Sequence, residues 1–500
     1  MGENAGWELP DEGSPEEEKL AELFGSILGG DGREILRELR AQGADLASLA
    51  ASAGMPTDPA ALQAMITQVQ RMLATSGDDP VNWGVAHDVA RQAAVEGGDP
   101  SIGEGRARVA TQALGVAELW LDAATDLPPA GGPARAWSRS EWVEATLPTW
   151  RLLTEPVATS MSTAFAEALR DQLPEEFGAL GGGDMGGLLG GTGAGAGGPG
   201  SPGSPGGPGA GGSGPEVLLR QLGSAVFGLQ VGQGAGTLAR EVFGGTDIGL
   251  PLLPEPGTVL VPANVDAFAE GQSVPVEEVR LFLALREAAH ARLYAHVTWL
   301  RAHVLALVHD YARGVTIDLS SLEESIRSVD MSDPRSLQQA ITSDVFAPHV
   351  TPAQESALLR LETVLALVEG WVDEVVAAAA IAHLPQTVAL REMVRRRRAA
   401  GGPGETAFAN LVGLELRPRR SREAAALFAH VATAGGAAAR EAVWAHPDLL
   451  PTAEDLDDPA GFLARREAAR TADAEIDEAL EALLSEGDGG TPRPTEPQQP

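Results

Sequence analysis

Two residues suited to metal or acid–base chemistry, Glu287 and His290, lie three positions apart in the stretch "LALREAAHARLYAH". Residues three or four apart share one face of a helix. A His-Glu-x-x-His pattern uses this geometry to present two imidazoles to one zinc ion while the glutamate activates water. Here Arg286 stands where the first histidine would be. The stretch is therefore either an altered zinc site or a helix that resembles one, because Glu-x-x-His alone arises by chance in many long helices.

A second acidic pair, Glu369 and Asp373, lies downstream in "LLRLETVLALVEGWVDEVV". In zinc sites whose third ligand is a glutamate, a second helix can supply a Glu-x-x-x-Asp pair in which Glu binds metal and Asp orients a histidine. Glu369 directly follows the apolar run "VLALV". Because a buried carboxylate costs free energy unless it is paired or coordinated, we expect Glu369 to have a cationic partner.

The sequence allows two cationic partners for the Glu369 carboxylate. Zinc could be held by His290, Glu369 and a replacement ligand. Alternatively, Arg286 could pair bidentately with Glu369 and supply the positive charge itself. An arginine has no lone pair for a metal and repels one nearby, so chemistry alone favours the ion pair.

The chain has nine histidines, and four of them fall in this part of the sequence. His296 and His303 are seven apart and share a helix face, which lies about 120° to 140° from that of His290. We interpret them as packing or rim residues rather than metal ligands. The positions of His383 and His446 relative to the site do not follow from the sequence.

A basic run, "REMVRRRR" from Arg391 to Arg398, interrupts an otherwise acidic chain. It could dock an acidic segment of the same chain, but a solvated helix face is the simpler interpretation. Five tryptophans in the first half of the chain are expected to be core and interhelix anchors: Trp83, Trp120, Trp137, Trp142 and Trp150.

Composition limits the partners. The 500 residues carry a formal net charge of −34, from 70 acidic and 36 basic residues, which argues against nucleic-acid and anionic-membrane surfaces. There is no cysteine, no apolar signal core at the N-terminus and no run of about 18 apolar residues. We expect a cytoplasmic protein that binds neither nucleic acid nor membrane.

The sequence predicts a mainly α fold with a small β element. A Gly/Pro-rich stretch at 181–215 cannot bury enough apolar surface to order itself and is predicted to be a disordered insertion. The predicted organisation is an acidic flexible region with a short helix at 1–45, a helical half at 46–180, the insertion at 181–215, a second helical half at 216–475, and a helix end with a disordered acidic, Pro-rich tail at 476–500.

The second helical half contains the elements that must position the site. A long helix is predicted over 275–311, another opens at Thr351 with Gln354 in the capping-box position, and a third begins near Ser421. The prolines and β-branched residues before the first of these favour one or two short strands, with "TVLVPAN" the better candidate.

Six stretches carry a family resemblance: "DPVNWGVAHDVARQ", "VLVPANVDAFAEG", "EVRLFLALREAAHARLYAHVTWLRAHV", "LVEGWVDEVV", "GLELRPRRSREAAALF" and "HPDLLPTAEDLDDP". With these, the chain resembles the bacterial zincin-like metallopeptidases, which are described as hydrolases or zinc-dependent metalloproteases. The resemblance covers roughly residues 60 to 465 without the insertion. It implies a largely helical fold, with Glu287 as general base, His290 and Glu369 as zinc ligands and Asp373 in support of a histidine. Without a metal, Arg286 and Asp373 would instead join a salt bridge. Position 286 departs from that pattern.

Two functions remain open. In the first, Glu287 acts as general base on water polarised by zinc at His290 and Glu369, and cleaves peptide or amide bonds. In the second, the scaffold is kept, Arg286 pairs with Glu369, and the protein binds a peptide or protein partner in the former cleft without catalysis.

Overall fold

The structure is a computed structural model that describes residues 79–172, 215–313, 351–402, 406, 409 and 420–488. The predicted N-terminal region at 1–45, nearly all of the insertion at 181–215 and the tail beyond 488 lie outside these residues.

The first described half contains four helices and one short strand. They are α1 (Trp83–Val95), α2 (Glu104–Leu121), β1 (Ala134–Ala136), α3 (Arg139–Gln172) and α4 (Pro215–Ala239). The second half contains one short strand and eight helices, with single-turn 3-10 helices between the last of them. These are β2 (Thr258–Leu260), α5 (Pro262–Ala269), α6 (Val276–His296), α7 (Leu300–Arg313), α8 (Pro352–Ala380), α9 (Thr387–Ala400), α10 (Ser421–Glu441), α11 (Ala453–Asp457) and α12 (Phe462–Asp488). The mainly α architecture with a small β element is confirmed.

The β element is a parallel pair of three-residue strands. Ala134 is in register with Thr258, and Ala136 with Leu260. Strand β2 falls within the predicted "TVLVPAN" segment, and Pro262 then opens α5 at a first-turn position that tolerates its missing N–H. Strand β1 was not predicted, because three residues of sequence "ARA" carry no alternation of apolar and polar positions.

The long helix predicted over 275–311 is interrupted. Helix α6 ends at His296 and α7 begins at Leu300. The intervening Val297 has a ψ of 79°, outside the helical range. The "VTW" sequence at the break is rich in β-branched and aromatic residues of low helix propensity. Trp299 there donates from its indole N–H to the Trp444 carbonyl at 3.0 Å, which fixes the turn against the C-terminal part of the chain.

The predicted start of α8 is confirmed in detail. The Thr351 hydroxyl accepts a hydrogen bond from the Gln354 backbone N–H at 3.2 Å, and the Gln354 side chain accepts one from the Thr351 N–H at 3.0 Å. Each residue's side chain therefore satisfies a backbone N–H group that has no partner within the helix. The helix predicted near Ser421 also begins there.

Helices α6 and α8 form the centre of the molecule. Every residue from 282 to 293 in α6 and from 363 to 373 in α8 is buried. A helix buried on all faces has no solvated side for its charged residues, so the ionisable groups on these two segments must be paired inside the protein. Trp142 and Trp150 are buried in the same core, and three partly buried tryptophans pack against it: Trp83, Trp120 and Trp137.

Helices α1 and α4 approach closely along glycines. A Cβ added at Gly232 would lie 2.6 Å from the Ala86 carbonyl oxygen, and one at Gly236 would lie 2.4 Å from the Ala90 oxygen. Both distances are shorter than any normal contact, so the two backbones can meet only where α4 has no side chain. Among the described residues, no helix combines the length and apolarity needed to cross a membrane.

We predict that Gly236→Ala lowers the free energy of unfolding by about 1–3 kcal/mol, because the added methyl group forces α1 and α4 apart. Gly223→Ala is the matched control on the same helix, where an added Cβ meets no atom within 4 Å. Alanine there should be neutral or stabilise by up to about 1 kcal/mol. Chemical denaturation of both variants measures the difference, and equal stability of the two would contradict the close approach.

Candidate functional site

The site lies where α6 crosses α8. Gly370 sits beside Glu369 in α8, and a Cβ added at Gly370 would lie 2.5 Å from the Cβ of Ala424 in α10. This glycine lets α10 pack tightly on one side of α8, while Glu369 faces α6 on another. The predicted meeting of the two segments is therefore present in the fold.

The Glu369 carboxylate is enclosed by three cationic or titratable side chains. Its Oε2 atom lies 2.6 Å from a guanidinium nitrogen of Arg286. Its Oε1 atom lies 3.3 Å from Arg398 and 3.3 Å from the Nε2 atom of His290. Each of these four residues is at most 7% exposed. A carboxylate that would be costly to bury alone is thus neutralised by two guanidinium groups.

The ion pairs govern the charge of Glu369. Burial alone would raise the pKa of this carboxyl, but the guanidinium groups of Arg398 and Arg286, together with His290, hold its pKa well below its ordinary value. Glu369 is therefore ionised at neutral pH. It carries a fixed negative charge, and the cations that balance it belong to the protein.

His290 is held by a backbone contact within its own helix. Its Nδ1 atom lies 2.9 Å from the Arg286 carbonyl oxygen, and since a carbonyl only accepts, Nδ1 carries the proton. The opposite nitrogen, Nε2, is buried and makes no hydrogen bond despite its ion-pair distance to Glu369. The two predicted metal ligands therefore lie side by side, with the Nε2 atom of His290 3.3 Å from the Oε1 atom of Glu369.

Glu287 is a structural anchor in this arrangement. Its Oε1 atom accepts hydrogen bonds from the backbone N–H groups of Gly245 and Val259, at 3.0 and 3.1 Å. Its Oε2 atom accepts from the N–H and hydroxyl of Thr246, at 3.1 and 2.7 Å. Burial raises the pKa of Glu287, and these hydrogen bonds oppose that shift. With two donors on each oxygen, the carboxylate has no free lone pair with which to take a proton from water.

Asp373 lies one turn beyond Glu369 and is also buried. It accepts a hydrogen bond from Arg391 at 2.8 Å and forms a second short ion pair with Arg395. The sequence offered two roles for Asp373, orienting a histidine or joining a salt bridge. Both of these contacts are guanidinium groups of α9, so the arrangement corresponds to the salt bridge.

The basic run on α9 points into the protein, and its interpretation as a solvated face is wrong for four of its five arginines. Arg391 and Arg395 reach Asp373 of α8, and Arg398 reaches Glu369 of the same helix. Arg397 lies 3.2 Å from Asp247, donates to the Glu241 carbonyl at 2.5 Å and stacks 4.0 Å above the Phe243 ring. Arg396 is exposed. The charges are drawn inward because buried carboxylates on α8 need cations.

A narrow cavity adjoins the ion pair. It is lined by Arg286, Glu287, His290 and Asp247, with Phe243 and Leu283 beside them. Its volume is about 10 Å³, enough for about one water molecule. A peptide does not fit into a space of this size.

The residues at the site do not fit a zinc ion. Zinc in proteins takes three or four ligands that each offer a lone pair. In the part of the chain that the structure describes, no group of three His, Cys, Asp or Glu residues is placed to hold a metal ion. His290 and Glu369 are two possible donors, but Glu369 is already bound by two guanidinium groups. The cation that balances this carboxylate is arginine.

Five other histidines of the described residues lie away from this site. His296 is exposed and approaches the Pro129 carbonyl, and His303 meets the edge of Trp299. His309 is exposed, His383 stacks on Trp120 at 4.3 Å, and His446 caps a short 3-10 helix. The expectation that His296 and His303 pack or line a rim agrees with these contacts.

The chain matches the family model of zincin-like metallopeptidases over residues 81–463. It belongs to the zincin-like metallopeptidase family. A crystal structure from Chloroflexus aurantiacus, described as a proposed hydrolase with a novel fold, is similar with a TM-score of 0.50 and 17% sequence identity. The similarity covers 77% of this chain and 99% of that one, and at this identity it shows a shared fold alone. No curated protein matches the sequence.

Sequence reasoning missed Arg398 as a partner of Glu369 and the loop 244–246 as the partner of Glu287. The first had a signal, because a basic run in an acidic chain needs counter-charges somewhere. The second had only the Gly244–Gly245 pair, where an added Cβ would lie 2.4 Å and 3.2 Å from the Glu287 carboxylate oxygens, and two glycines alone do not identify a partner.

We predict that Arg286→Met lowers the free energy of unfolding by about 3–5 kcal/mol at neutral pH, because it removes one cation from a buried carboxylate. The folded pKa of Glu369 is depressed, so the ion pair stabilises the protein above the unfolded pKa and loses that effect as pH falls towards the folded pKa. The difference between the unmodified chain and the variant should hold from pH 8 to pH 5 and shrink in acid. Chemical denaturation of both proteins, from pH 8 through pH 5 and on into acid, measures this difference in the free energy of unfolding.

Arg313→Met is the control for this experiment, since Arg313 forms an exposed pair with Asp310 and should cost less than about 1 kcal/mol. An Arg286→Met variant no less stable than this control would refute the buried pairing.

Glu287→Gln should also destabilise the fold, by about 1–3 kcal/mol, because an amide NH2 would replace an oxygen that accepts two hydrogen bonds. Glu277→Gln on the exposed first turn of α6 is the control and should cost less than about 1 kcal/mol. Thermal or urea unfolding compares them. Unchanged stability of Glu287→Gln would show that the carboxylate is not an anchor and restore its candidacy as a base.

Proposed function

We propose that this chain is a non-catalytic member of the zincin-like metallopeptidase family that acts by binding a peptide or protein partner. The observation that carries the proposal is the Glu369 carboxylate, bound at 2.6 Å by Arg286 and at 3.3 Å by Arg398. A guanidinium stands where a divalent cation would have to be.

Electrostatics supports the substitution of arginine for a metal. A zinc ion at Glu369 would lie within a few ångströms of two guanidinium groups, and like charges at that distance repel strongly in a buried site. Arg286 cannot act as a ligand, because its guanidinium stays protonated and has no lone pair. Metal binding would therefore need both arginines to leave.

In the proposed function, Glu287 does not activate water. General-base catalysis requires a carboxylate with a lone pair directed at the attacking water. The four hydrogen bonds to Glu287 occupy both oxygens and tie the residue to loop 244–246 and strand β2. Glu287 thus keeps the fold together at a position where the family pattern implies a base.

The cavity is too small to hold a peptide or protein partner, so the partner of the proposed function binds on the outside of the molecule. Because the space beside His290 holds about one water molecule, the binding surface of the proposed function is an exterior face rather than the former cleft. The acidic net charge of −34 favours a basic or neutral protein partner over nucleic acid. We also propose a cytoplasmic location, with which a cysteine-free chain is compatible.

A zinc-dependent hydrolase is the second candidate. It is favoured by the Nε2 atom of His290, which is buried, makes no hydrogen bond and faces Glu369 at 3.3 Å. This function would need a third ligand and the withdrawal of Arg286 and Arg398. The first candidate needs neither.

Elemental analysis of the purified full chain distinguishes the two. We expect far less than one zinc per chain after incubation with zinc and gel filtration, and no cleavage of casein. Arg286→His should increase zinc content, because it exchanges a cation for a lone pair four residues from His290, and combining it with Arg398→Met should increase it further. Arg286→Gln is the control, since it removes the charge without adding an imidazole.

One zinc per unmodified chain, together with cleavage of casein that chelators abolish, would refute the non-catalytic proposal and support the hydrolase. Equal zinc uptake by Arg286→Gln and Arg286→His would show that position 286 is not at a metal site.

A further inference from the structure

The segment between α4 and β2 is buried although it forms neither a helix nor a strand. Three of its apolar side chains, Ile248, Leu250 and Leu252, are at most 3% exposed. Irregular segments usually run over the surface of a protein, because their backbone N–H and C=O groups need partners that an apolar core does not supply. The buried backbone of this segment must therefore find its partners on the surrounding helices.

Side chains of α6 supply those partners. The Glu287 carboxylate accepts hydrogen bonds from the N–H groups of Gly245 and Thr246. Two turns further along α6, the Tyr294 hydroxyl donates to the Gly249 carbonyl at 2.6 Å. Residues seven apart share one face of a helix, so the segment lies along one face of α6 and is bonded to it at two points.

The same segment contacts the other two helices of the site. Gly249 has a φ of +79°, and a Cβ added there would lie 3.2 Å from the Oε1 atom of Glu369 and 3.4 Å from a guanidinium nitrogen of Arg398. Asp247 lies 3.2 Å from Arg397 of α9. The backbone at 249 therefore lies directly against the ion pair, where a glycine gives it both the space and the positive φ.

The two ends of the segment lie side by side. Gly244 forms an antiparallel bridge with Leu260, and the Val261 N–H donates to the Phe243 carbonyl at 2.8 Å. The 13 residues of 245–257 thus form a closed loop of the Ω type, whose ends meet. A loop of this kind can leave its seat as one unit while the bridge holds its two ends.

We propose that the loop 245–257 is a lid over the candidate site, which opens as one unit beyond the bridge and gives water and small solutes access to Glu369 and His290. In the closed form these two side chains are 4% and 1% exposed. Asp247 of the lid lines the cavity beside His290, and Gly249 covers the ion pair. The lid is thus the part of the enclosure that no helix provides.

Opening breaks a defined set of contacts. The lid leaves the Glu287 carboxylate, the Tyr294 hydroxyl and the Arg397 guanidinium, and it withdraws apolar side chains from the core. Because burial of those side chains favours the closed form, the open form is a minor population of the resting protein. The lid does not depend on whether a partner binds an exterior face or whether the site takes a metal.

Amide hydrogen exchange of the full chain tests the lid, since it detects minor open forms. If the loop opens as one unit, the amides between 246 and 252 should share one exchange rate, faster than that of the buried amides of α6. Tyr294→Phe removes the hydroxyl that holds Gly249, so it should raise the exchange of the whole loop about fivefold. That increase should include Thr246, at the other end of the lid, and leave the buried amides of α6 unchanged.

Tyr311→Phe is the matched control, because Tyr311 is the other tyrosine of the chain and is buried on α7. It should leave the exchange of the loop unchanged. An increase in Tyr294→Phe that is confined to the amides next to Gly249 would overturn a lid that moves as one unit. Loop amides that exchange only as slowly as those of α6 would show that the segment opens only when the protein unfolds, which would overturn the lid itself.

Chemical modification of His290 tests whether the lid controls access to the site. Diethyl pyrocarbonate acylates accessible neutral imidazoles, so the exposed histidines should react first, among them His296, His309, His383 and His446. His290 should react slowly in the unmodified chain. Asp247→Asn weakens the pair between the lid and Arg397, and it should speed the modification of His290 by the same factor as the exchange of the loop amides. An unchanged His290 rate beside faster loop exchange would show that the loop does not cover the site.

Discussion

The structure depends on one electrostatic constraint, which is that a carboxylate buried at the centre of α8 must be balanced by cations from within the protein. Glu369 is 4% exposed, so bulk water can solvate little of its charge. Arg286 from α6 and Arg398 from α9 meet it from two directions. Because an unpaired charge at this depth would cost several kcal/mol, the pairing holds three helices in fixed positions.

The neighbouring acidic residues follow the same logic. Asp373 draws Arg391 and Arg395 onto α8, Asp247 holds Arg397, and Glu287 is satisfied by backbone N–H groups and Thr246. The result is a helical scaffold in which arginines of the chain neutralise the buried carboxylates at the predicted metal site.

Sequence reasoning predicted the mainly helical class, the start of α8 at Thr351 and the meeting of the two segments that carry Arg286 and Glu369. These features depend on apolar periodicity, capping chemistry and the cost of burying charge, which residue types express directly. The break between α6 and α7, the strand at 134–136 and the inward turn of α9 were not predicted. They depend on which tertiary partner a segment meets, as Trp299 meets the Trp444 carbonyl, and local sequence does not carry that information.

A double-mutant cycle on the central pair tests the account most directly. Arg286→Met, Glu369→Met and the double variant would be compared with the unmodified chain by chemical denaturation at pH 7. If the two side chains form a buried ion pair, the double variant should be more stable than the sum of the single losses implies, by a coupling of about 1–3 kcal/mol. Single losses that add within about 0.5 kcal/mol would contradict the claim that the Arg286 guanidinium balances the buried charge of Glu369.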